Sequence, residues 1–98
     1  MINMKISEVA DKINVAMANE APNFTGRDTL TTTRINGYNK MGFITPVPKK
    51  AKNKSYFEYE QIHLDLVLRA YKKIVVNKMR SREAFQQARE EIASPSLF

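Results

Sequence analysis

Ile6, Val9, Ala10 and Ile13 recur at spacings of three and four, which predicts a first helix from Ser7 to Ala18 with Ser7 as its N-cap. Glu20 to Gly26 holds Pro22, Asn23 and Gly26 and reads as a loop. Thr31 is placed to cap a second helix beginning at Thr32. In that helix Leu30, Ile35, Tyr38 and Met41 point one way, while Thr32, Thr33, Arg34, Asn36, Asn39 and Lys40 face largely elsewhere. Gly42 ends it, because glycine takes a left-handed conformation at least cost. Gly37, inside the helix, costs roughly 1 kcal/mol relative to Ala. Something must therefore approach it closely: another backbone, which is the expectation, or a nucleic acid.

Phe43 to Pro48 reads as a short strand, confined to a sheet edge by Pro46 and Pro48. Ser55 to Phe57 supplies the return strand, with a lysine run at the tip of the hairpin. From Tyr59 onward Ile62, Leu66, Ala70 and Ile74, flanked by Val67, Tyr71 and Val75, repeat at helical spacing and predict the longest helix, ending near Asn77. Ser81 reads as the N-cap of a last helix that buries Ala84, Phe85, Ala88 and Ile92 and stops at Pro95. The predicted fold class is mostly α with a small β-hairpin wing, a winged helix-turn-helix of about four helices. Residues 1–93 form the domain and 94–98 a short tail.

The 98-residue length suits one such domain. Charge adds more. The chain carries a net +6, and residues 1–48 and 55–98 each contribute only +1. Lys49, Lys50, Lys52 and Lys54 supply the other +4 within six residues. Such a run suits a polyanion, against the alternative of a solvated loop. There is no cysteine and one histidine, which excludes disulfides, thiolate zinc sites and multi-histidine zinc sites. The longest apolar run is Val15–Ala18, far short of a membrane span. Glu8 and Asp11 close behind Met1 do not fit a secretory leader. A cytoplasmic location is the expectation.

Within this layout Leu30, Thr31, Arg34 to Phe43, Ile44 and Pro46 resemble the recognition-helix pattern of the MerR family. Lys5-Ile6-Ser7-Glu8-Val9-Ala10 is similar to the opening of that family. Asn53 to Ile62 resembles the end of its wing, and Met79 to Phe85 the start of its fourth helix. Small excisionase-like proteins and MerR-like bacterial and phage proteins share the arrangement. The chain departs from the pattern at Asn36, Gly37 and Asn39, which stand where the family has arginine, tyrosine and glutamate, and in the longer segment from Ala16 to Gly26. The resemblance implies DNA binding, with Tyr38 matching a tyrosine that touches the DNA backbone. With the chain ending at Phe98, no effector or metal-sensing domain is expected, and no cofactor or small-molecule effector.

The candidate DNA-binding residues follow from chemistry. Arg34 can take guanine O6 and N7 together. Thr32 and Thr33 can reach phosphates or base edges from the same turn, and Thr31 either joins them or only caps. Asn36 and Asn39 can read adenine or face solvent. Lys40, Lys49, Lys50, Lys52 and Lys54 suit phosphates, with Asn53 beside them. Tyr56 packs on a sugar or braces the hairpin, with bracing expected. His63 is expected to be structural. No nucleophile–base–acid spacing, phosphate-binding glycine loop or metal set stands out, so no catalytic or metal residue is assigned. Ile92, Leu97 and Phe98 are candidate contacts of a homodimer or a head-to-tail oligomer on DNA. The sequence therefore favours a small sequence-preferring regulator or architectural factor that binds double-stranded DNA. The alternative is an adaptor or inhibitor that reuses the fold to bind a host protein.

Overall fold

The computed structural model describes residues 3–93. Four helices and one hairpin follow in order: α1 (Ile6–Glu20), α2 (Thr32–Lys40), β1 (Val47–Ala51), β2 (Lys54–Glu58), α3 (Gln61–Val76) and α4 (Ser81–Ala93). A 3₁₀ turn over Gly26–Asp28 interrupts the α1–α2 connection. The fold is thus mostly helical with a two-stranded antiparallel hairpin. No helix among the described residues is long and apolar enough to cross a membrane.

α1 buries Val9, Ala10, Ile13 and Met17 on one face, as the spacing requires. It starts one residue before Ser7, however, and Lys5 takes the cap position without a side-chain bond. The reason lies outside the helix. Met4 and Tyr59 exchange two backbone hydrogen bonds of 2.7 Å, so the chain enters α1 directly from a bridge to the base of the hairpin. Asn3 adds a hydrogen bond to Glu58 at 3.0 Å.

α3 and α4 pack along each other, and α1 lies against both α2 and α3. The buried face of α3 is His63, Val67, Ala70 and Tyr71; Val67, Ala70 and Tyr71 are buried as predicted, Leu66 and Ile74 are half-buried, and the face turns toward His63 rather than Ile62. Ile62 is accordingly 54% exposed. His63 is buried and structural, its Nδ1 accepting from the Glu60 backbone N–H at 2.9 Å. α4 buries Ala84, Phe85 and Ala88. It begins at Ser81 itself rather than after it, and the Ala84 N–H bonds to the Arg80 carbonyl. The turn between α3 and α4 places Lys78 at φ 58°, a left-handed conformation uncommon for a residue with a side chain.

The first strand is displaced along the chain from its predicted place, while the return strand, Lys54–Glu58, stands where Ser55 to Phe57 predicts it. Phe43, Ile44 and Pro46 are buried outside any strand, and the Phe43 N–H bonds back to the Tyr38 carbonyl at 3.0 Å. Pairing begins at Val47↔Glu58 and ends at Ala51↔Lys54. Lys49 and Lys50 therefore lie in a strand, and only Lys52 and Asn53 make the turn. Lys52 has φ 56°, as a two-residue hairpin turn demands of its first residue. Ring stacking fixes the buried stretch: Phe43 lies 5.1 Å from Phe85, and Tyr38 lies 4.8 Å from Phe85.

Candidate nucleic-acid interface

α2 is held by devices at both ends. At its start the Thr31 hydroxyl accepts from the Arg34 N–H at 3.2 Å, the predicted cap. Just before it, Asn14 of α1 grips both backbone groups of Leu30. Its Nδ2 donates to the Leu30 carbonyl at 3.0 Å, and its Oδ1 accepts from the Leu30 N–H at 2.7 Å. At the far end Gly42 takes φ 80°, as predicted. The Arg89 guanidinium then donates to the carbonyls of Gly42 at 2.8 Å and Phe43 at 2.7 Å. In the middle Ile35 and Tyr38 are buried. The helix is thereby fixed in place and direction.

The long α1–α2 connection is pinned from α3. The Tyr71 hydroxyl donates to the Asp28 carbonyl and accepts from Arg34 Nη1 at 3.3 Å. Arg34 is exposed but lies on the flank of α2, tied to α3. Burial pushes the hydroxyls of Tyr38, Tyr59 and Tyr71 above their usual pKa, with Arg34 pulling Tyr38 and Tyr71 partly back. Among the described residues the buried Tyr59 hydroxyl has no hydrogen-bond partner.

The face of α2 opposite Ile35 and Tyr38 carries Thr33, Asn36, Gly37 and Lys40. Thr33, Asn36 and Lys40 are exposed, while Thr32 and Asn39 are half-buried at the margins. Thr31 is exposed, but its hydroxyl is committed to the cap. Tyr38 points inward as the spacing predicts, which takes it away from the outward face, whereas Met41 does not point inward. Tyr38, matched to a backbone-contacting tyrosine, is only 6% exposed and packs against Phe85, because that face of the helix meets α4. Met41, expected inward, is 60% exposed, because the chain is already turning at the C-cap.

The hairpin stands beside this face. Every residue from Pro48 to Phe57 is exposed. Among the described residues none of Lys49, Lys50, Lys52 and Lys54 enters an ion pair, whereas the acids Glu20 and Glu91 are paired with cations of α3. Between hairpin and helices runs an open groove of about 680 Å³. Lys5 and Ile6 of the α1 start, Asn36 of α2, and Lys54, Tyr56 and Phe57 of β2 line it. The structure thus brings Asn36 and the hairpin together across one groove and places Arg34 on a different flank. Lys5 was missed from sequence, since the Met4–Tyr59 bridge that carries it here spans 55 residues. Tyr56 borders the groove half-exposed, with no hydrogen bond that braces the strands. Ile92 is half-buried on α4, and Leu97 and Phe98 lie outside the described residues.

Comparison with protein-family models, with curated proteins and with solved structures found no match.

Proposed function

We propose that the chain is a sequence-preferring double-stranded DNA-binding protein with a winged helix-turn-helix arrangement. In this reading α1 and α2 form the helix-turn-helix, α2 enters the major groove, and the β1–β2 hairpin is the wing that follows the phosphates. The observation that carries it is the pairing of two unlike surfaces across one groove. On one side is Asn36 of the rigidly held α2; on the other is β2 with Lys54, in a hairpin whose Lys49, Lys50 and Lys52 are likewise exposed and, among the described residues, free of ion pairs. Phosphate contacts supply affinity and base-edge contacts supply preference, and each surface suits one of these tasks. One module covers few base pairs, so the reading includes two or more copies on DNA, as a homodimer or a head-to-tail array. The role is that of a small transcriptional regulator or an architectural factor.

A hollow of about 480 Å³ between the 42–45 segment and α3, bordered by the exposed Ile62, favours a second reading in which the partner is a protein. Titration against duplex DNA at several salt concentrations separates the two. DNA binding gives log affinity that falls linearly with log salt at a slope of about −0.9 per phosphate neutralised. No affinity for any duplex at low salt would leave the protein-partner reading in place.

A further inference from the structure

A glycine inside a helix normally has an internal reason, and for Gly37 the structure removes each of them. Its φ is not positive; among the glycines only Gly42 has that conformation. It does not end or break the helix, since α2 runs on to Lys40 and the Met41 N–H bonds to the Gly37 carbonyl at 3.0 Å. No neighbour demands the space either. A Cβ built at Gly37 meets nothing within 4 Å. The close-packed backbone expected from sequence is absent. Alanine there would favour the helix and touch nothing among the described residues.

The position of the gap is informative. Gly37 lies one turn from Thr33 and one turn from Lys40, beside Asn36, on the face opposite the buried Ile35 and Tyr38. It is half-buried backbone on the outward face, a gap between the projecting side chains of Thr33, Asn36 and Lys40.

We infer that Gly37 is the point of closest approach between α2 and the edges of the base pairs, where the missing Cβ lets the helix seat deep enough for Thr33 and Asn36 to reach them. The inference rests on the DNA-binding reading above. A Cβ at 37 lifts the helix axis away from the groove floor. The base-edge contacts of its neighbours are then lost, while the phosphate contacts of the hairpin persist.

The experiment compares the wild-type chain with Gly37→Ala by thermal unfolding and by titration on two duplexes, one selected from a random pool by the wild type and one of random sequence. Gly37→Ala should raise Tm by roughly 4–8 °C, because alanine is the better helix former. The same variant should bind the selected duplex on the order of tenfold or more weakly. Its affinity for the random duplex should change by less than about threefold, since phosphate contacts are the same on every sequence. A raised Tm with undiminished affinity for the selected duplex overturns the inference and leaves the DNA reading intact. A lowered Tm overturns it too, by showing that the glycine serves the fold. A wild type that binds neither duplex overturns both.

Discussion

α2 and the β1–β2 hairpin flank the same groove and are built in opposite ways. α2 is tied to its surroundings by the Thr31 cap, the Asn14 grip on Leu30, the Arg89 clamp and two buried side chains. Among the described residues the hairpin is anchored at its base, through Met4–Tyr59 and Asn3–Glu58, and everything beyond Val47 is exposed up to Phe57. A surface that discriminates between base pairs must hold its donors to a fraction of an ångström. A surface that meets phosphates needs charge and reach, and gains from being able to adjust. The contrast in construction therefore matches a division of labour between preference and affinity.

The hairpin side of that comparison should break most visibly. Replacing Lys49, Lys50, Lys52 and Lys54 together by Ala should weaken selected and random duplexes alike and flatten the salt plot by roughly 2–4 units per subunit. All four side chains are exposed and, among the described residues, free of ion pairs, so Tm should move little. Titrations at several salt concentrations measure this. Full affinity with an unchanged slope would show that the hairpin does not touch DNA.

Removing the grip on α2 should damage the other side. Asn14→Ala strands the N–H and carbonyl of the buried Leu30, for a loss of about 1–3 kcal/mol in urea unfolding. Because the same contact orients α2, discrimination between selected and random duplexes should narrow. If stability falls while discrimination holds, the grip serves the fold alone.

Arg34 tests whether the flank of α2 also reads sequence. If it takes a guanine, Arg34→Ala should cost about 1–3 kcal/mol on the selected duplex, relax the preference at one base pair and spare the random duplex. Its bond to the Tyr71 hydroxyl leaves most of its donors free. Equal weakening on both duplexes would reassign Arg34 to a phosphate.

The two regions also differed in how readable they were. The ends of α2 follow from short-range chemistry, a threonine before the helix and a glycine after it, and both stand where sequence places them. The grip from Asn14 and the pin from Tyr71 join residues 16 and 43 apart, and no local pattern announces them. The hairpin was legible as an element and in its return strand, and its first strand was misplaced along the chain. Phe43, Ile44 and Pro46 alternate with little that is polar, and such a run reads equally as strand or as extended core. Only the stacking of Phe43 on Phe85 decides between them. On α3 the prediction holds at Val67, Ala70 and Tyr71 and fails in the first turn, where His63, a polar residue, is buried in place of Ile62 and bonds to the backbone of its own helix start.

The smallest expected effect concerns the charges that do pair. Glu91 of α4 accepts from Lys73 at 2.6 Å and from Arg69 at 3.4 Å, and so ties α4 to α3. The Lys73 hydrogen bond holds the Glu91 carboxyl below its usual value of 4.5, against a desolvation effect of opposite sign. A carboxyl whose pKa is lower folded than unfolded adds stability that is complete above the unfolded value and lost as pH falls through the folded one. Stability should therefore stay level from neutral pH down to about 5 as far as this group is concerned, then decline further into acid. Glu91→Gln should remove that share of the decline and leave stability above pH 5 only slightly reduced. The carboxylate is 40% exposed, so water and salt screen the pair and the change should be small. Urea midpoints of wild type and Glu91→Gln between pH 3 and 7 measure it. An acid limb identical in both proteins would show that the pair does not hold α4, which would leave the packing of Ala84, Phe85 and Ala88 as the bond between the two helices.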